Sequence, residues 1–423
     1  MIKTVALVLF IITYVLLLVL PKIRAYIALG SAALFVILGI MPLENLFTSV
    51  DWNVLMMITG TMGIVSLFIK SGMPSLLADI IIDKVPNVKW AVIALSLFAG
   101  IISAFIDNVA TVLMIAPVAL TISKKLKISP VPIIIAIAVS SNLQGAATLV
   151  GDTTSILLGG QAKMDFLDFF VFQGKMGLFW VVEIGALAAT MILFIIFRKD
   201  KAPIHLAEKT KVTDYFPTVL LIGTIALLIL ASFVPGRPYI TNGLICMVLL
   251  IVGLIRTLIK DRNLKDFMDT LKEIDYFTIL LLTGLFIVVG GISQAGIIED
   301  ISKIFVQLSN GNIFVTYTLI VWASVLLSAF IDNIPYVATM LPVAAGISSI
   351  MGVEPYLLYF GLLIGATLGG NLTPIGASAN IAGIGILRKQ GYEVKASQFM
   401  KIGIPFTLAA VTAGYLLVWF IWR

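Results

Sequence analysis

The chain has 423 residues, 60% of them hydrophobic and 12% charged, with a formal net charge of +6. Soluble domains average roughly 25% charged residues, so this composition excludes a soluble fold and calls for a polytopic protein of the cell membrane. One cysteine, Cys246, and one histidine, His205, exclude a disulfide framework, a thiolate cluster and a multi-histidine metal site; the basic excess is assigned to cytoplasmic loops and not to nucleic acid.

Three spans come first, at about 4–20, 24–41 and 51–69. The first has the length of a signal peptide, but only Lys3 precedes it and no small-residue cleavage site follows, so it is expected to be retained. Residues 71–85 are amphipathic and are expected at the interface. Residues 90–122 form one apolar segment broken by Asp107-Asn108. As a single helix it would be roughly 50 Å long, against a hydrocarbon core of ~30 Å. Two half-length arms meeting at Asp107-Asn108, a re-entrant hairpin, fit better. The run 129–160 is interrupted at 145–155, where glycine and hydroxyl residues suit an unwound helix, and a span at 177–197 closes the first half. Met56 and Met57, in the third span, are expected to face core or lipid.

The polar stretch 198–214 is the predicted boundary, a cytoplasmic linker between residues 1–197 and 215–423. The second half repeats the plan, with spans near 216–233, 239–258 and 275–294, an interfacial stretch at 295–309 and a hairpin at 313–349. A span at 355–389, broken at 369–380, and a last span at 399–421 follow. The repetition is explicit. SAFIDNVATVLMIAPVAL at 103–120 and SAFIDNIPYVATMLPVAA at 328–345 match at ten of eighteen positions when shifted by 225. The same offset pairs Gly145, Thr148, Gly151 and Ser155 with Gly370, Thr373, Gly376 and Asn380, and an offset of 224 pairs Asp51, Thr59 and Gly60 with Asp275, Thr283 and Gly284.

Five crossings and one hairpin per half make the halves enter from opposite sides, which is an inverted repeat. The predicted fold is all-α: ten transmembrane helices, two re-entrant hairpins and two broken helices. With the first hairpin's mouth in the cytoplasm, all but six of the 28 Lys and Arg fall on the cytoplasmic side and both termini lie outside.

Irregular backbone at membrane depth is tolerated only where protein buries it or where it lines a wet cavity, and a carboxylate there costs about 2.5–3.5 kcal/mol on translocon scales. Two such carboxylates and two broken helices describe a midplane ion and substrate site. The first ligand set is Asp107, Asn108, Thr111, Thr148 and the backbone near Gly151, with Asp152 and Thr153. The mirror set is Asp332, Asn333, Asn371, Thr373, Gly376 and Asn380. Such hard oxygens suit Na⁺ on Asp107, Asn108, Asp332 and Asn333, or a proton on Asp107; no other cofactor is expected. Asp107 and Asp332 also suit helix N-caps. Asp152 fits either a coupling carboxylate or a surface loop, and Glu183, which has no repeat partner, fits a proton relay or a snorkelling position. With no Lys or Arg among these residues, an anion would need neutralising cations or protons.

The paired SAFIDN tips, the Ala-Thr-Leu-Val-Gly151-Asp152 break and the Gly369–Asn380 segment resemble the arsenite-efflux and sodium/proton antiporter family (ArsB/NhaD type), which includes the P protein, within the ion transporter superfamily. The resemblance runs from about residue 50 to 420. It implies a mobile domain of hairpins and unwound helices moving elevator-like against a scaffold that commonly dimerises. Where relatives carry Asp-Pro-Pro-Asn, this chain has Asp152-Thr153-Thr154-Ser155, and Asp-Asn stands where dicarboxylate carriers have Ser-Asn-Thr, which argues against a dicarboxylate cargo. The expected function is secondary active transport of a small inorganic solute, arsenite- or antimonite-like, coupled to H⁺ or Na⁺. The alternatives are Na⁺/H⁺ antiport or Na⁺-coupled anion import. A passive channel is disfavoured because two inverted hairpins closing on one site favour a carrier, and an enzyme because no His-rich metal set, nucleophile motif or phosphate loop is present.

Overall fold

Apolar runs punctuated by Asp, Asn, Pro and Gly fold here as helices joined by short turns. The computed structural model describes residues 2–203, 210–261 and 264–423; His205 and part of the expected linker lie outside the described residues. The first half holds α1 (Ile2–Val19), α2 (Arg24–Ile37), α3 (Leu43–Ser49), α4 (Trp52–Lys70), α5 (Met73–Asp83), α6 (Val88–Ser103), α7 (Asn108–Leu126), α8 (Val131–Gln144), α9 (Thr153–Ala162) and α10 (Leu178–Ile196). The second holds α11 (Phe216–Ser232), α12 (Thr241–Asp261), α13 (Leu264–Lys272), α14 (Tyr276–Gln294), α15 (Ile297–Leu308), α16 (Ile313–Ser328), α17 (Asn333–Met351), α18 (Tyr356–Gly369), α19 (Ser378–Lys389) and α20 (Ala396–Trp422). A two-stranded antiparallel hairpin, β1 (Val171–Phe172) and β2 (Lys175–Met176), precedes α10.

Both predicted hairpins are present as helix pairs meeting at Asp107 and Asp332, and both predicted breaks are present, between α8 and α9 and between α18 and α19. Helix α15, from the stretch expected at the interface, meets α16 at a bend of 114°. Among the described residues, eight helices are long and apolar enough to cross a bilayer, nine if that bent pair counts as one span. The predicted ten differ because α2 and α11, at 14 and 17 residues, fall below that length and each broken pair is split, while the second hairpin arms α7 and α17 pass it.

The helices pack in two sets. In one, α4 lies on α12, α14 on α2, α1 on α2 and α11 on α12. Small residues set these crossings: a Cβ on Gly60 would stand 2.6 Å from Cys246 Cβ, and one on Gly284 2.6 Å from the carbonyl carbon of Ala28, the close approach that membrane helices use in place of a hydrophobic drive. In the other, α6 and α7 bracket α8, α16 and α17 bracket α18, and α10 lies against α20. Met57 is core, as expected. The outer faces are apolar and exposed, including Val8, Ile11 and Val15 of α1 and Leu187, Met191 and Ile195 of α10, as a lipid-facing surface requires.

The described part of the linker is a strap. Asp200 and Ala202 carbonyls accept from Lys89 and Val88 N–H (2.8 and 3.0 Å), Thr210 N–H donates to Asp79 (2.8 Å) and Thr213 N–H to the Ser71 carbonyl (3.0 Å). Asp214 then pairs with Arg256 (2.5 Å) and Lys260 (3.1 Å) of α12.

Candidate functional site

Each tip is an Asp that starts a helix. Asp107 Oδ1 accepts from the N–H groups of Val109 (3.0 Å) and Ala110 (3.1 Å), and Asp332 Oδ1 accepts from Ile334 N–H (3.0 Å). Capping therefore occupies one carboxylate oxygen and leaves the other for a ligand. The two tips differ in what that second oxygen does. Arg24 Nη1, from the start of α2, donates to Asp332 Oδ2 at 2.5 Å, with both side chains under a fifth exposed. Asp107 has no ion pair among the described residues.

A cavity of about 440 Å³ collects both tips. Six predicted residues line it: Asp107, Asn108, Asp152, Thr153, Asp332 and Asn333. Asp152 is thus a buried wall residue, not a surface loop; its Oδ1 accepts from Thr153 N–H (2.7 Å) and its Oδ2 from the Thr154 hydroxyl (3.0 Å). The wall also holds Arg24 and Glu273, which the sequence did not flag, and Asp275, which it marked as the repeat partner of Asp51 but not as a site residue. The expectation of a site without Lys or Arg is corrected by Arg24, whose partner lies 308 residues away. Its one signal is a cation at the first position of an apolar helix. The balance remains acidic: five carboxylates face one guanidinium.

Thr111, Thr148, Asn371, Thr373, Gly376 and Asn380 lie behind this wall, and Gly151 lines a small crevice beside Asp107 and Asp152. There the backbone forms two matching cradles. A Cβ on Gly151 would meet the carbonyl oxygens of Gly145, Ala104 and Ser103 at 2.7, 2.9 and 3.0 Å; one on Gly376 would meet those of Gly370, Ala329 and Ser328 at 2.6, 2.8 and 2.8 Å. Every member is displaced by 225. The Thr148 hydroxyl donates to the Ala104 carbonyl and the Thr373 hydroxyl to that of Ala329. Asn380 Nδ2 donates to the carbonyls of Gly370 (3.1 Å) and Thr373 (3.2 Å), while its buried Oδ1 has no partner. The carbonyl oxygens thus close directly on the two glycines, leaving no room for a side chain at either break, and Asn380 Oδ1 remains an orphaned acceptor beside the second.

A third polar layer joins the halves. Asn108 Nδ2 donates to Asn142 Oδ1 (2.9 Å); Asn142 Nδ2 donates to the Thr367 carbonyl (2.7 Å) and to Asn371 Oδ1 (3.1 Å); Asn371 Nδ2 returns to the Val139 carbonyl (2.9 Å). Asn142 gave no sequence signal, because its repeat partner is Thr367 and the glycine pattern starts after it.

A second cavity, of about 810 Å³, is lined by Asp51, Asn53, Gln161, Lys163, Tyr239 and Ser293 among others. It sits at the N-terminal end of α4, whereas Ser66 and Ile69 near the C-terminal end line the first. Nineteen helical residues span about 28 Å, so the two openings lie at opposite ends of the spans.

The sequence profile of the CitMHS family, described as a citrate transporter, matches residues 7–365. The chain belongs to this family. An uncharacterized transporter of Mycobacterium tuberculosis is 30% identical over 94% of this CitMHS chain and 93% of its own length, and a 46 kDa membrane protein of Mycobacterium leprae is 30% identical over 99% and 98%. The P protein of Mus musculus is 27% identical over 92% of the chain and 56% of its own length. Among solved structures, the YdaH transporter of Alcanivorax borkumensis is similar with a TM-score of 0.61 (15% identity, 88% and 86% covered), and MtrF of Neisseria gonorrhoeae with 0.54 (16%, 86% and 80%). This CitMHS chain is a multi-span membrane transporter and not an enzyme.

Proposed function

We propose that this secondary transporter of the CitMHS family works by alternating access, with cations at the tips and cradles driving a small solute through the acidic cavity. The observation that carries this is the cavity wall: both Asp tips and the first break meet there, five carboxylates to one guanidinium. Carboxylates gathered on one wall stay ionised together only with cations beside them, and otherwise take up protons. Na⁺ is assigned to the oxygen-rich breaks next to Gly151 and Gly376, with Thr148, Thr373 and the orphaned Asn380 Oδ1 nearby, and Asp107 is free to hold a proton or Na⁺. Arg24 fills the corresponding position at Asp332 in this state.

The cargo this wall suits best is a neutral inorganic hydroxide, arsenite- or antimonite-like, in keeping with the resemblance to arsenite-efflux carriers. It needs no counter-charge, and the lone Cys246, buried against Gly60, takes no part. A second cargo, a citrate-like polyanion, is favoured by the family's description and by Arg24; it would enter only with cations bound. Na⁺/H⁺ exchange without a solute is the third. The two cavities at opposite ends of α4 support alternating access, and the Lys/Arg bias favours an orientation with the tip-lined one toward the cytoplasm and both termini outside. The two halves, 1–197 and 215–423, are taken as inverted repeats, and the α1–α2 and α11–α12 faces as the surface for lipid and a second copy.

Purified protein in liposomes, with an imposed pH or Na⁺ gradient, tests this by flux of arsenite, antimonite, citrate and Na⁺. Gradient-dependent arsenite flux is expected. Citrate flux alone selects the second cargo, and Na⁺ flux without either solute selects exchange. No flux of any of the four defeats the assignment.

A further inference from the structure

Glu183 is the one charged residue of α10, and the cavity does not use it. It lies half-buried at the sixth position of the helix, about 8 Å from its start. Its partner is Gln144, whose Nε2 donates to Glu183 Oε2 at 3.1 Å. No ion pair reaches it among the described residues. The elements packed on α10 are α6, α8, α20 and β2, and α8 has no charged residue. Lys89 of α6 stands over the rings of Trp90 and Phe194, Lys175 of β2 over Trp422, and Tyr415 of α20 bonds Thr318. Lys401 is nine residues before Ala410, the α20 residue that meets Gly185, roughly 13 Å along the helix.

Gln144 is buried, and its Oε1 has no hydrogen-bond partner. An ionised carboxylate only accepts. It can serve the NH₂ of the amide but never its oxygen, whichever way round the amide is placed. A protonated carboxyl supplies the missing donor and still accepts from the NH₂. The repeat acts as a control. Shifted by 225, Gln144 and Glu183 become Gly369 and Leu408. The helix contact in which Gln144 Cγ fills the space over Gly100 recurs between Gly369 and Val325, with large and small exchanged. Packing at this crossing therefore needs neither the acid nor the amide.

We propose that Glu183 with Gln144 is a proton-binding site, set beside the first break and apart from the hairpin tips. Gln144 ends α8, and the next carbonyl, Gly145, accepts from the Ser155 hydroxyl (3.0 Å) and belongs to the Gly151 cradle. Loss of the proton changes the bonding of the residue that precedes the cradle. The use of the site in transport rests on the function proposed above; its existence does not.

Infrared difference spectroscopy across a pH titration, on purified protein in lipid nanodiscs, reads the carbonyl stretch of protonated carboxylic acids. A band present at neutral pH in the wild type is expected to vanish in Glu183→Gln, to shift in Gln144→Leu and to persist in Asp107→Asn. A spectrum indifferent to Glu183→Gln overturns the proposal, as does a Glu183 band that titrates away in the ordinary carboxylate range. Should Glu183→Gln fail to fold, Gln144→Leu decides: a shifted band supports the site and an unmoved one removes it. An intact Glu183 band with no solute flux in the wild type counts against the transport assignment alone.

Discussion

Identical hexapeptides place Asp107 and Asp332 in different electrostatic company. One faces the cavity with an open oxygen and the other is held by a guanidinium. Asp107→Asn keeps an N-cap, since Asn caps as well as Asp, but removes the charge. Cation-dependent flux is expected to fall at least about tenfold with the fold intact, read by liposome flux alongside thermal unfolding; flux that keeps its cation dependence returns Asp107 to a purely capping role. Arg24→Gln should behave in the opposite way. Removing one partner of a fully buried pair costs ~3–5 kcal/mol; this pair is partly exposed, so about 1–3 kcal/mol is expected, seen as a lower Tm that added Na⁺ restores more than it does in the wild type. The asymmetry was not legible in the sequence, because a pairing across 308 residues leaves no local pattern.

At the scale of the element, the two cradles exist because glycine permits carbonyl oxygens where a side chain would stand. Gly151→Ala and Gly376→Ala each place a methyl 2.6–2.7 Å from a carbonyl oxygen, and overpacking of this kind costs about 1–3 kcal/mol. A lower Tm with loss of Na⁺-induced stabilisation is expected for both. Gly223→Ala, in an open position of α11, serves as the control and should be neutral or slightly stabilising. Hairpins and breaks were legible because a carboxylate or a glycine cluster interrupts an otherwise unbroken apolar run, twice and at one offset. Short elements were not. Helix α3 has seven residues after Pro42, without a side-chain cap, too few for a periodicity. The β1–β2 turn places Gln173 and Gly174 at φ 50° and 74°, and Gln-Gly is a weaker signal for such a turn than Asn-Gly. A count of spans by helix length differs from the predicted ten because apolarity measures composition, while the length that remains after a break depends on where the helix unwinds.

The molecule as a whole is strapped by its linker, from the α5–α6 turn to α12. The hydrogen bond from Arg256, with help from Lys260, holds the Asp214 carboxyl well below the usual range. A group lowered in the folded state adds stability above its unfolded pKa of ~3.9, and loses it as pH falls through the folded value. Unfolding scans should therefore show wild type above Asp214→Asn at neutral pH, with the difference closing in the acid range below about pH 4; parallel curves would leave the strap without a stabilising charge. Deeper in, Asn142 and Asn371 lace α8 to α18 where the chains cross. Prising one broken helix from the other would strand several amide groups in a dry interior, each a penalty of about 1–3 kcal/mol. The knot must then ride as a solid piece through any transport cycle, and the suppleness that such a cycle demands has to come from the rim of the protein and not from its hub.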